Sequence, residues 1–192
     1  EDRDKNGEIN PGDRTFIGNA QPDFIYGMTN TVRYKNIDLS VFFQGSQGNS
    51  IFNGARIETE GMYDSRNQTT VVLNRWQNPG DVTDVPRAIR NNVANTYISS
   101  RFLEDGSYLR LKAITLSYRF TGDFLRRMAV SNASLYVTGQ NVLTFTSYTG
   151  FDPEVSTYGN DGNSNVKNIA QGIDYGAYPQ SRAFIIGLNL TF

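Results

Sequence analysis

The closing eleven residues, Arg182-Ala-Phe-Ile-Ile-Gly-Leu-Asn-Leu-Thr-Phe192, constrain the fold more than any other stretch. Phe184, Ile186, Leu188, Leu190 and Phe192 fall on one side of a period-two pattern, and Ala183, Gly187, Asn189 and Thr191 on the other, with Ile185 the one apolar exception. Period two is the signature of a strand. An apolar face running to an aromatic last residue matches the closing strand of an outer-membrane β-barrel, where lipid-facing and lumen-facing side chains alternate. The terminal strand of a soluble β-sandwich carries the same alternation, so this strand alone leaves both open.

Four further strands share the pattern. Phe24, Tyr26, Met28, Val32 and Tyr34 alternate with Thr29, Thr31 and Arg33. After a tight turn at Lys35-Asn36, Ile37, Leu39, Val41 and Phe43 alternate with Asp38, Ser40, Phe42 and Gln44, which predicts a hairpin. In Ser107 to Phe120 the lower half places Ile114, Leu116, Tyr118 and Phe120 together. The upper half is out of phase, with Leu109, Leu111 and Ala113 opposing Arg110 and Lys112. Either a β-bulge lies near Lys112–Ile114 or the upper half rises above the membrane. Ala133 to Phe145 sets Leu135, Val137, Leu143 and Phe145 against Ser134, Tyr136, Thr138 and Gln140. Each strand is close to the length that a tilted strand needs to cross a bilayer.

Long polar segments at 52–106 and 147–181 alternate with the short turn at Lys35-Asn36 and the connector 121–132. Barrels of this kind keep short turns on the periplasmic side and long loops outside. With Phe192 periplasmic, every connection falls on its proper side. The first long segment holds a helix candidate at about Ser65 to Trp76, capped by Asp64 or Ser65 and stopped by Pro79-Gly80. A helical turn is also expected at Phe124-Leu-Arg-Arg-Met128. Five strands are too few to close a barrel, so the expectation is a portion of a larger one, exposing two open edges and unable to fold alone.

Composition narrows the function classes. A net charge of -1 without a basic cluster leaves no footprint for nucleic acid. No apolar run is long enough for a transmembrane helix. With neither Cys nor His, triads built on either are ruled out, and Asp152/Glu154 and Asp81/Asp84 are carboxylate pairs of a kind that polar loops contain by chance. The expectation is a protein that is not an enzyme.

Several stretches resemble the C-terminal region of SusC/RagA-type TonB-dependent transporters. They are Arg75-Trp-Gln-Asn-Pro-Gly-Asp-Val-Thr-Asp-Val-Pro-Arg87, Phe102-Leu-Glu-Asp-Gly-Ser-Tyr-Leu-Arg-Leu-Lys112 continuing into Ile114-Thr-Leu-Ser-Tyr118, Gly139-Gln-Asn-Val142, Tyr148-Thr-Gly-Phe-Asp-Pro-Glu-Val155, and the Tyr178-Pro approach to Phe184 and Phe192. The segment Asp2 to Gly27 fits as well. Ala113 stands where Asn is common, and the 121–132 connector lacks a frequent Pro. The resemblance implies that residues 1–192 are the C-terminal portion of one β-barrel domain whose plug and earlier strands lie upstream. It further implies an outer-membrane location, a SusD-like surface lipoprotein partner, energy from TonB through the upstream region, and uptake of glycans or peptides. A soluble glycan-binding β-module and a porin or siderophore-type receptor are the alternatives.

Three groups of candidate site residues follow. Asp2, Asp4 and Asn6, the turn at Gly7, the Glu8 carbonyl and Asp13 match part of a calcium loop, so Ca2+ is a possible ligand; an Asp/Asn-rich turn held by its own side chains is the alternative. Trp76, Tyr97, Tyr148, Phe151, Tyr158, Tyr175 and Tyr178 lie on the long loops, where rings can stack on substrate or pack within the loops. Phe24, Tyr26, Tyr34, Tyr118, Phe120 and Phe192 are candidates for interfacial aromatic girdles. Arg33, Asp38, Gln44, Arg110, Lys112 and Gln140 are expected on the polar face, paired with one another across strands.

Overall fold

The structure, a computed structural model, describes residues 2–91, 93–122, 125, 127, 129–154 and 171–192. The chain divides into two compact units, Glu1–Asn19 with Arg56–Leu103, and Ala20–Ala55 with Glu104–Phe192.

The larger unit is built on a five-stranded antiparallel sheet. Its strands are β1 (Phe24–Tyr34), β2 (Ile37–Gln47), β5 (Tyr108–Phe120), β6 (Asn132–Thr146) and β8 (Ala183–Thr191), in the order β1-β2-β5-β6-β8. This is the strand set and neighbour order expected from the alternation. Among the described residues, β1 pairs only with β2 and β8 only with β6. The register lines up side chains across all five strands. One row is Val32, Leu39, Leu116, Val137 and Ile186; the next is Thr31, Ser40, Thr115, Thr138 and Ile185. Side chains alternate between faces along each strand, so the first row lies on an apolar face and the second on a polar one. The apolar face is not covered: Ile186 is 73% exposed and Leu116 50%. Phe24, Met28, Val32, Tyr34, Ile37, Leu135, Phe184 and Leu190 are exposed with them.

Of the two readings of the frame flip, the structure shows the bulge near Lys112–Ile114, and it explains why the frame flips on one strand only. Between the row through Leu39, Leu116 and Val137 and the row through Phe43, Leu111 and Leu143 there are four residue steps on β2, five on β5 and six on β6. An odd excess reverses the parity of β5, whereas the even excess on β6 leaves its parity unchanged. Asn141, within the irregular part of β6, sits at φ 50°.

A second, smaller sheet in the order β4-β3-β7 joins Ser50–Asn53 (β3) to Ile173–Asp174 (β7) in parallel, with Leu103–Asp105 (β4) on the other side. Both long segments thus contribute to it, although neither showed a readable strand period at such short lengths. At the short-connection end of the large sheet, Leu125, Val130 and Ala133 form a small apolar cluster with Phe120. Leu125 and Arg127 are helical, in keeping with the expected turn; Phe124, Arg126 and Met128 lie outside the described residues.

The smaller unit corrects the helix expectation. Residues 65–76 form no α-helix; only Thr70–Asn74 makes a 3-10 turn. The run Thr69-Thr70-Val71-Val72 is β-branched and loses side-chain freedom in a helix. Asp64 accepts the Arg66 N–H at 3.0 Å, closing a local turn instead of capping. The helix lies earlier, at α1 (Ala55–Glu60), where Arg56 and Glu60 are spaced four apart and pair at 3.0 Å.

Candidate functional site

The polar face of the large sheet carries two ionic clusters. Toward the short turns, Asp38 on β2 is shared by Arg33 of β1 at 2.6 Å and Arg119 of β5 at 3.3 Å. This is the cross-strand pairing expected for Arg33 and Asp38. Thr115 and Thr138 bond across β5 and β6 at 2.9 Å. Gln140 is exposed on this face, opposite Ala113.

Toward the long loops, the pairing differs from the expectation. Gln44, Arg110 and Lys112 do not satisfy one another; they converge on two carboxylates of the second long loop. Arg110 is 2% exposed. Its Nη2 donates to Asp152 Oδ1 at 2.5 Å, its Nη1 to Glu154 Oε2 at 2.7 Å, and its Nε to Thr144 Oγ1 at 3.0 Å. Lys112 Nζ donates to Glu154 Oε2 at 3.1 Å, and Gln44 Nε2 to Glu154 Oε1 at 3.3 Å. Asp152 also accepts the backbone N–H of Glu154 and of Gln180, both at 2.8 Å. Burial pushes the Asp152 carboxyl up, but those N–H groups and the Arg110 guanidinium outweigh it and hold the group below its ordinary value. The Asp152/Glu154 pair, of a kind that polar loops contain by chance, therefore ties the second long loop to the sheet. Alternation alone puts Arg110 and Lys112 on one face, but that Asp152 and Glu154 reach it from 42 positions away is not written locally in the sequence.

The loop aromatics divide by environment. Tyr148 is 6% exposed, and its hydroxyl donates to buried Asp174 at 2.6 Å, so its ring is a strut of the small sheet and not an open platform. Tyr175 stacks edge-on against Phe52, 6.4 Å between centroids. Trp76 is half-buried under Arg87, 5.8 Å from its ring. Tyr97, Phe151 and Tyr178 are exposed, Tyr178 at 94%. Phe151 and Tyr178 sit on the two segments that Asp152 joins through Gln180. Tyr158 lies outside the described residues. Of the girdle candidates, Phe24 and Tyr26 lie 5.9 Å apart between centroids, and Tyr118 and Phe120 5.1 Å.

In the smaller unit, the N-terminal loop closes on its own carboxylates. Asp13 accepts the N–H of Arg3 at 2.6 Å and of Asn10 at 2.9 Å. Asp2 accepts from Gly7 at 2.8 Å, Asp4 from Asn6 at 3.1 Å, and the Asn6 side chain from Glu8 at 2.8 Å. The N–H groups of Asn10 and Arg3 hold the Asp13 carboxyl below its ordinary value. Carboxylate oxygens of Asp2, Asp4 and Asp13 lie within 4.8 Å of one another, and Gly7 turns the chain at φ 88°. The Glu8 side chain is not in that group. A second guanidinium cluster, Arg56 and Arg101 about Glu60, ties α1 to the segment that holds Arg101.

No family model matches the chain. TonB-dependent receptor P3 of Formosa agariphila is 44% identical over 191 residues, covering 100% of this chain and 18% of the receptor. TonB-dependent receptor SusC of Bacteroides thetaiotaomicron is 28% identical over 197 residues, covering 100% of this chain and 17% of that protein. Among solved structures, the RagAB peptide importer in its closed-closed state aligns with a TM-score of 0.76 at 25% identity, over 92% of this chain and 18% of that one. The chain thus spans about a fifth of the length of the relatives it matches.

Proposed function

Since the chain is a SusC/RagA-type TonB-dependent receptor sequence along its whole length, we propose that it forms part of the wall of a single outer-membrane β-barrel domain that imports nutrient oligomers. The observation that carries this reading is the bare apolar face, a row of Val32, Leu39, Leu116, Val137 and Ile186 across five strands. Left in water it would be an aggregation surface; against lipid it is satisfied. Unpaired edges at β1 and β8 are intolerable in hydrocarbon, so neighbouring strands of the same barrel complete the sheet. The polar face then lines the lumen, and the anchored loop with Phe151 and Tyr178 stands at its outer mouth.

On this reading a SusD-like lipoprotein covers the outer side, TonB supplies energy through the rest of the receptor, and the cargo is a glycan or a peptide. The relatives are receptors by name, and with neither Cys nor His the chain lacks the groups on which the common catalytic triads are built. Growth on the cargo should require both the receptor and TonB, and a surface lipoprotein should co-purify with the receptor. Uptake that persists without TonB would favour the porin reading and overturn this one.

We further propose that Asp2, Asp4, Asn6, the Glu8 carbonyl and Asp13 hold a calcium ion. Three converging carboxylates repel one another at neutral pH, and a hard divalent cation with oxygen ligands relieves that repulsion. Calorimetric titration of the receptor with calcium should show one site that Asp4→Ala removes; an unchanged isotherm in the variant would refute it.

A further inference from the structure

We propose that Gln44, Arg110 and Lys112 form a carboxylate-binding subsite on the polar face, filled in this structure by Glu154 of the same chain and open to exchange with a carboxylate of the cargo. The inference rests on the uptake reading only for the route by which the cargo reaches this face.

The two loop carboxylates are not equivalent. Asp152 is 5% exposed and is held by Arg110, Glu154 N–H and Gln180 N–H. Glu154 is 24% exposed, and its side chain meets Arg110, Lys112 and Gln44, with the Tyr108 hydroxyl also bonded to it. Departure of Glu154 leaves Arg110 still oriented by Asp152 at 2.5 Å and Thr144 at 3.0 Å. What remains is a pre-positioned guanidinium with a free edge, an ammonium 30% exposed beside it, and an amide donor, with one net positive charge. A guanidinium fork and an ammonium are the groups that recognise a carboxylate. The backbone points the same way. Arg110 and Lys112 share a face by alternation, and the extra residue of β5 turns that face to the polar side; bulges re-aim side chains beside sites.

Two cargo classes carry that chemistry, uronic-acid oligosaccharides and acidic peptides. The test uses the full-length receptor in detergent, with hexagalacturonate and hexaglutamate as probes and their methyl ester and hexaglutamine as neutral counterparts. Tethered Glu154 competes at an effective concentration of order mM. Glu154→Gln should therefore strengthen binding of one charged probe about tenfold or more, without changing its neutral counterpart, and adding Lys112→Met should reverse the gain. The probe that gains identifies the cargo class. A folded Glu154→Gln receptor with no charge-dependent gain overturns the subsite. If that variant does not assemble, the wild-type receptor decides. Charge-dependent binding that Lys112→Met removes supports the subsite, and its absence up to about 10 mM, where a tethered competitor would be matched, refutes it. A receptor that still supports TonB-dependent growth while failing this test loses the subsite alone and keeps the uptake reading.

Discussion

Replacing Asp152 by Ala should free the second long loop from the sheet. The substitution removes the acceptor of Arg110 Nη2 and of two backbone N–H groups, those of Glu154 and Gln180. Breaking a buried ion pair by deleting one partner costs about 3–5 kcal/mol. Arg110 keeps Glu154 and Thr144, which places the expected loss at the lower end, about 3 kcal/mol. At 1.4 kcal/mol per decade that is roughly a hundredfold drop in hydrogen-exchange protection, confined to residues near 148–154 and 178–180. The assay is exchange with mass-spectrometric readout on the full receptor. Asp81→Ala is the control, since Asp81 also accepts two N–H groups, from Gln77 and Asn78, but on an exposed turn. A double variant, Arg110→Met with Asp152→Leu, should recover part of the loss, because an apolar pair leaves no buried charge without a partner. The sign with pH follows from the lowered Asp152 carboxyl: its contribution is complete above the ordinary carboxylate value and is lost as pH falls through the lowered folded value. A spin label at position 151 should thus be equally immobile at pH 8 and pH 5. Loosening already at pH 5, or a loss of protection in Asp152→Ala no larger than in the Asp81→Ala control, would refute the reasoning.

Three further outcomes are expected. Val137→Arg, in the middle of the apolar row, should destabilise the barrel by about 2–4 kcal/mol, whereas Gln140→Arg on the polar face should be tolerated; equal midpoints in denaturant titrations would contradict the assignment of faces. Gly187 lies under the Tyr136 ring, where a Cβ has no room, so Gly187→Val should cost about 1–3 kcal/mol, relieved by Tyr136→Ala; a neutral Gly187→Val would show the contact to be dispensable. Cysteines placed at Tyr97 or Tyr178 should react with an impermeant reagent on intact cells and one at Lys35 should not; labelling at Lys35 alone would invert the topology.

The alternation of apolar and polar residues was sufficient to locate all five long strands, because one buried or lipid-bound face imposes period two over nine or more residues; it marked the frame flip on β5 but did not decide between a bulge and a segment above the membrane. It was silent on β3, β4 and β7, which are two to four residues long and pair across segments distant in sequence. Cap and stop residues frame 65–76 as a helix, but the β-branched run at 69–72 outweighs them. At the site, charge pairing near the turns was legible because Arg33 and Asp38 are neighbours in one hairpin. The Arg110–Asp152 pair spans 42 positions, and nothing local announces it. For Tyr148 the choice between stacking on substrate and packing within the loops is not legible, because composition does not distinguish a ring that faces solvent from one whose hydroxyl is held by Asp174.

The stacked irregularity at Lys112 and Asn141 has a mechanical meaning. Residue steps that grow from four to five to six across β2, β5 and β6 interrupt the ladder at one height on neighbouring strands. A sheet resists bending where its hydrogen bonds are continuous and yields where they are not. The weak points therefore lie where β5 meets β2 and β6, whereas the β1–β2 ladder runs unbroken past the same height and splints it. The Arg110 anchor lies just above these shifts and couples the second long loop to them. A pull on that loop would thus be taken up first by a few amides beside Lys112 and Asn141.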